Sequence, residues 1–205
     1  MPPARLLHVV TGLALLVALS APALALAAPH EPMRHHLTLG YGFARHISDD
    51  FEDTGLETGG VGQFAYRYSL NPGWDLALDW RSVNTSDESV ETGGGTPFEI
   101  DYEHRVAYFG PGVRWSSGSG SVRPYLQANV FFVTETLRVE IDGIGGDASE
   151  EDAGFGLMGG ADIRLSRLLS IPLEVSYLYG KPDLDVSSLG MSVGLTFNFK
   201  PLPLY

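Results

Sequence analysis

Residues Leu189–Phe199 read LGMSVGLTFNF, and no other stretch restricts the fold so tightly. Leu189, Met191, Val193, Leu195, Phe197 and Phe199 fall on one face of a strand, and Gly190, Ser192, Gly194, Thr196 and Asn198 on the other. Successive side chains of a strand point to opposite sides, so one face is wholly apolar and the other small and polar. Roughly 9–11 residues of tilted strand cross a bilayer. The segment has that length, and it predicts a membrane-spanning β-strand.

The other end of the chain predicts export. Arg5 is the only charge before a long apolar run, Leu6–Ala27, that closes on Ala25-Leu26-Ala27. That is the layout of a secretory signal peptide over residues 1–27, cleaved before Ala28, with an uncleaved N-terminal anchor as the rival reading. No later stretch approaches 18 consecutive apolar residues, so no helix is expected to span a membrane. Residues 28–205 form one domain. There is no cysteine, which excludes disulfides and thiolate metal sites. Loss of Arg5 with the leader takes the formal charge from −12 to −13, and nucleic acid is not an expected partner.

Eight alternating segments can be drawn: His35–Ala44, Gly60–Leu70, Trp74–Asn84, Tyr102–Trp115, Val122–Val133, Ala153–Leu165, Ser170–Gly180 and Ser188–Phe199. Connections after segments 2, 4 and 6 are short, and those after 1, 3, 5 and 7 are mostly long. An even number of strands with short turns on one side and long loops on the other is the plan of a bacterial outer-membrane barrel. The expected fold is therefore all-β: an eight-stranded antiparallel up-and-down transmembrane barrel. Its N-terminus and short turns face the periplasm, and its long loops lie outside the cell. Trp and Tyr near the segment ends match interfacial girdles. Pro111 interrupts segment 4 and is expected to mark a bulge. The rival is a soluble eight-stranded carrier with the apolar face turned inward.

The non-lipid face carries charge. Arg67, Arg81, Arg114 and Arg164 stand against Asp75, Asp79, Asp162 and Glu174. Charges inside a narrow barrel need partners, and eight strands leave an interior that side chains nearly fill. These eight residues are expected to form a closed interior network, not a conducting pore. Most of the 25 acidic residues fall instead in the long loops or at their edges. There they are candidates for holding Ca²⁺ or Mg²⁺, shared with lipopolysaccharide phosphate, or for attracting a basic partner; the plainer alternative is that they keep mobile loops solvated. Adjacent His35 and His36 are weighed as metal ligands, and His46, Ser48 and Asp49 as a Ser/His/acid group, which needs a mutual geometry that local sequence cannot establish. No cofactor motif is present.

Val122–Phe132 (VRPYLQANVFF), Gly154–Gly180 (GFGLMGGADIRLSRLLSIPLEVSYLYG) and the closing SLGMSVGLTFNF resemble the outer-membrane β-barrel domain family of small OmpA/OmpX-like and opacity-type proteins. The resemblance implies an eight-stranded barrel, which is expected here to be a monomer surrounded by outer-membrane lipid and lipopolysaccharide. It also implies insertion by the outer-membrane assembly machinery through the last strand, with Leu195, Phe197 and Phe199 as the recognised residues. Here Lys200–Tyr205 follows Phe199, where family members usually stop on the aromatic. A fainter similarity is to lipid A deacylase barrels, whose catalytic His and Ser would fall at Tyr177 and Tyr179; neither residue type is present there. The expected function is a structural or surface-interaction role without catalysis. An outer-membrane lipid hydrolase is the alternative, and a narrow channel the third reading.

Overall fold

A computed structural model describes residues 35–48, 56, 58–93, 96–118, 120–141, 144–180 and 186–199. The leader and Lys200–Tyr205 lie outside these residues. Eight strands follow in chain order: β1 (His35–His46), β2 (Thr58–Asn71), β3 (Trp74–Gly93), β4 (Thr96–Ser116), β5 (Val122–Ile141), β6 (Ile144–Arg164), β7 (Leu169–Gly180) and β8 (Ser188–Phe199). Each pairs antiparallel with its sequence neighbours, and β8 returns to β1, closing the barrel. The seam runs without a register break from His35↔Phe199 to His46↔Ser188.

Alternation decides which face meets lipid. Phe132 and Leu126 are 73% and 62% exposed, and Tyr41, Phe43 and Leu157 also stand outward. Arg67, Arg81, Arg114 and Glu174 are buried inside. The apolar face is thus the outer one, which rules out the inside-out soluble carrier. The final strand behaves as its pattern requires, with Met191, Val193, Leu195, Phe197 and Phe199 all outward.

The strands differ in length. β1, β7 and β8 have 12 residues and β2 has 14. By contrast, β3 and β5 have 20, and β4 and β6 have 21. Since about 9–11 residues cross the bilayer, the four longer strands continue about 10 residues beyond it. At a rise of about 3.3 Å per residue, that adds roughly 30 Å. Pairing persists to Gly93↔Thr96 in one hairpin and to Ile141↔Ile144 in the other, and β4 joins β5 as far as Ile100↔Ile141. The long connections expected at 85–101 and 134–152 are therefore mainly a four-stranded sheet, a fin standing on half of the rim. Beyond Asn84 on β3 and Gly154 on β6, no pairing to β2 or β7 is present among the described residues.

The expected bulge at Pro111 is absent. Pro111 pairs with Leu78, and the β4–β5 register is the same on both sides of it, from Phe109↔Phe132 to Gly112↔Asn129. The irregularity lies in β2–β3, between Ser69 and Asn71, beside the tight turn. What is special near Pro111 is backbone proximity: a Cβ on inward-facing Gly110 would lie 1.9 Å from the Val130 carbonyl oxygen. Gly110→Ala should therefore push β4 from β5 and cost about 1–3 kcal/mol, the usual penalty of overpacking. Urea unfolding in lipid vesicles measures this, and an unchanged midpoint would show that the strands part freely.

Candidate functional site: the filled lumen and the sheet above it

The lumen is layered. At the short-turn end, His36 is bonded through its ring nitrogens to Asn198 and Ser69, and the Ser69 hydroxyl donates to Asp75 at 2.6 Å. Strand alternation sends the adjacent His35 outward, where its ring stacks on Phe199 at 5.5 Å and Nδ1 meets the Tyr66 hydroxyl. The two histidines consequently share no ligand position.

One step further in, Asp162 on β6 receives two cations: Arg114 on β4, and Arg67 on β2 at 3.6 Å. The Arg114 guanidinium also lies 3.4 Å from the centre of the Tyr125 ring, a cation–π contact. Arg67 reaches Thr38 and Thr196 as well, tying the network to the seam. At mid-height, Arg81 pairs with Glu174 at 2.6 Å and Asp79 at 3.5 Å. Tyr125 donates its hydroxyl to Glu174 at 2.9 Å, and Gln127 donates to Asp79 at 2.6 Å.

Seven of the eight residues expected in the lumen are thus inside, and six are joined by these pairs. Asp75 is held separately by Ser69. Arg164 departs from expectation: it sits at the end of β6, exposed and away from the network. Its inward parity is overridden because the strand ends there, and the side chain emerges below the barrel floor. Leu195, Phe197 and Phe199 lie on the lipid-facing surface of β8.

Above the charges the lumen turns apolar. Val61, Val83, Val106, Tyr108, Phe131, Val133, Met158 and Leu178 pack together, joined by Leu56 and Val186 from the flanking loops. The Tyr108 hydroxyl donates to the Val186 carbonyl at 2.9 Å, and the Ile47 amide to the Ser187 carbonyl at 2.9 Å. Two loop segments are thereby stitched over the opening. The expectation of a polar interior missed this plug. Its signal was present in Phe131-Phe132-Val133, where apolar residues occupy both faces at once.

The plug is capped by a buried polar group. His104 Nε2 lies 2.8 Å from Glu135, and the His46 ring is 5.3 Å from that of His104. The register sets Ser188 opposite His46, with Ser188 fully buried. Asp49 lies outside the described residues. Tyr177 faces lipid beside Phe155, and Tyr179 contacts the same ring. No three His, Asp or Glu among the described residues converge as a metal site.

The fin has two unlike faces. Leu137, Val139 and Ile141 share the inward parity of β5, with Ile100 and Tyr102 on β4 beside them. The opposite face carries Asp101, Glu103, Arg105, Arg138 and Glu140, with an Arg138–Glu140 ion pair at 3.0 Å. On β6, Asp147, Glu150, Glu151 and Asp152 are all exposed.

A closed ring that is apolar outside and packed within defines a transmembrane β-barrel protein. Residues 11–197 match the model of the outer membrane protein beta-barrel domain, and the chain belongs to that family, whose place is the bacterial outer membrane. Among solved structures it is similar to Ail, the attachment invasion locus protein of Yersinia pestis, in complex with the heparin analogue sucrose octasulfate. That match has 17% identity and a TM-score of 0.56, covering 82% of this chain and 100% of that one. Neisserial surface protein A is similar at 16% identity and a TM-score of 0.51, covering 82% and 97%. OprG from Pseudomonas aeruginosa is similar at 13% and 0.50, covering 84% and 98%. No curated protein sequence matches.

Removing Arg81 would strand Asp79 and Glu174 in a buried site. Arg81→Met should cost about 3–5 kcal/mol, and the double variant R81M/E174M should recover part of that. Paired urea titrations in vesicles test both, and equal losses in the two variants would refute coupling through this pair.

Proposed function

We propose that the protein is a monomeric, non-conducting and non-catalytic outer-membrane barrel that holds its acidic fin outside the cell to engage a cationic partner. The apolar plug carries the reading: it separates the charged half of the lumen from the rim, so what remains for recognition is the sheet above. N-terminus and short turns face the periplasm in this arrangement, because the four long strands then project outward. Leu195, Phe197 and Phe199 form the face of β8 presented to the assembly machinery, and lipopolysaccharide surrounds the outer half of the barrel.

Charge selects the partner class. Asp101, Glu103, Glu140, Asp147, Glu150, Glu151 and Asp152 outnumber Arg105 and Arg138 on the described fin. A field of that sign draws basic segments or divalent cations and repels polyanions. This separates the expected ligand from the sulfated sugar in the Ail complex. A hydrolase is opposed by access to the base, since His46 is 3% exposed beneath the stitched loops while Ser48 is half-exposed in the loop beyond it. A channel is opposed by the plug.

Three measurements decide between these readings. An oligolysine peptide should bind cells displaying the wild type and lose binding on charge neutralisation of Asp147, Glu150, Glu151 and Asp152, whereas sucrose octasulfate should not bind. Retained oligolysine binding in the neutralised variant would overturn the partner class. In planar bilayers the wild type should be silent; regular conductance steps would restore the channel reading. Release of lipid fatty acid by the purified protein would restore the hydrolase.

A further inference from the structure

Among the described residues, exposed charge at the short-turn end is confined to one connection. The β2–β3 turn, Asn71-Pro72-Gly73, and the β4–β5 turn, Ser117–Ser121, carry no charged residue. Arg123, at the start of β5, is only half-exposed and donates to the Pro72 carbonyl and the Ser116 hydroxyl. The β6–β7 connection differs. Arg164 and Arg167 are both exposed, and Leu165 and Leu168 beside them are 56% and 67% exposed.

The turn is ordered by its own bonds. The Leu168 and Leu169 amides both donate to the Ser166 hydroxyl at 3.1 Å, and the Leu165 and Ser166 amides to the Leu169 carbonyl at 3.0 Å. The Asn198 amide donates to the Leu168 carbonyl at 2.8 Å, which fixes the turn against β8. Leu165 continues the lipid-facing row of β6 after Ile163, and Phe197 faces lipid opposite Leu169. Exposed leucines thus alternate with two exposed guanidinium groups along this turn. Arginine matches phosphate with a planar fork of donors and buries its stem along apolar surface.

We propose that this turn is a binding site for an anionic glycerophospholipid of the periplasmic leaflet. Arg164 and Arg167 take the headgroup phosphate, and Leu165, Leu168 and Phe197 flank the first part of the acyl chains. The leaflet assignment rests on the orientation given under Proposed function; the lipid chemistry does not. The site tethers one side of the barrel floor to a negatively charged lipid, opposite in sign to the fin.

The test uses the mature protein refolded into phosphatidylcholine nanodiscs and titrated with phosphatidylglycerol, with bound lipid counted by native mass spectrometry. Wild type should retain phosphatidylglycerol in preference to added phosphatidylcholine, and the preference should vanish in high salt. R164Q/R167Q should weaken it by a factor of about five per arginine, while R105Q/R138Q, at the far end, should leave it intact. Equal retention of the two lipids by the wild type, or an unchanged preference in R164Q/R167Q, would overturn the proposal. Both leaflets of a nanodisc are alike, so this result is independent of orientation. Protease shaving of the fin on intact cells tests orientation by itself.

Discussion

In a hydrocarbon layer no water is available to an open peptide group, so a sheet crosses only if its last strand finds its first. The β1–β8 seam is where this protein meets that requirement, and its inner face shows the cost. Gly40, Gly42 and Ala44 stand opposite Gly194, Ser192 and Gly190, so over this middle stretch the two closing strands contribute almost no volume to the lumen. Long side chains from the other strands occupy it instead. Arg67 leans across to Thr38 and Thr196, and Ser192 donates to Gln63 at 3.1 Å. Closure with small residues and filling with large ones are two halves of one packing solution.

Within the bilayer the fold was legible because lipid punishes a polar outward residue at every second position. Strand number, order, turn lengths and the outward sets follow from that single rule. Beyond the bilayer the rule inverts. On β5, Leu126, Ala128, Val130 and Phe132 are apolar and outward, whereas Leu137, Val139 and Ile141 are apolar on the opposite parity. A search for one continuous apolar face stops at the crossing point, which is how paired strand was read as loop. The change of phase at Phe131-Phe132-Val133 marks where the hydrocarbon ends and the plug begins.

The interior site was legible in part for a related reason. Parity identifies which arginines and carboxylates point inward, but not which cation chooses which anion, nor where a strand ends. Two arginines converge on Asp162 and two carboxylates on Arg81, an arrangement set by three-dimensional height along tilted strands. Arg164 shares their parity and misses their company by its position at a strand terminus. The apolar plug went unseen since inward valines in a barrel resemble ordinary strand formers until Leu56 and Val186 arrive from the loops to complete the cluster.

The fin is not an appendage joined by a hinge. The β3–β4 and β5–β6 ladders run unbroken from its tip through the membrane to the short turns, and the β4–β5 ladder keeps one register across the unpaired Gly110 and Pro111. A pull on the fin by a second surface therefore acts along the strands, so the cross-strand bonds are sheared together instead of peeled one at a time. The same strands carry Arg81, Arg114, Tyr125 and Asp162, and the tension reaches the charged lumen directly. Rooted on one half of the circumference, the fin also applies that force off-axis, so a tethered molecule tilts before it yields.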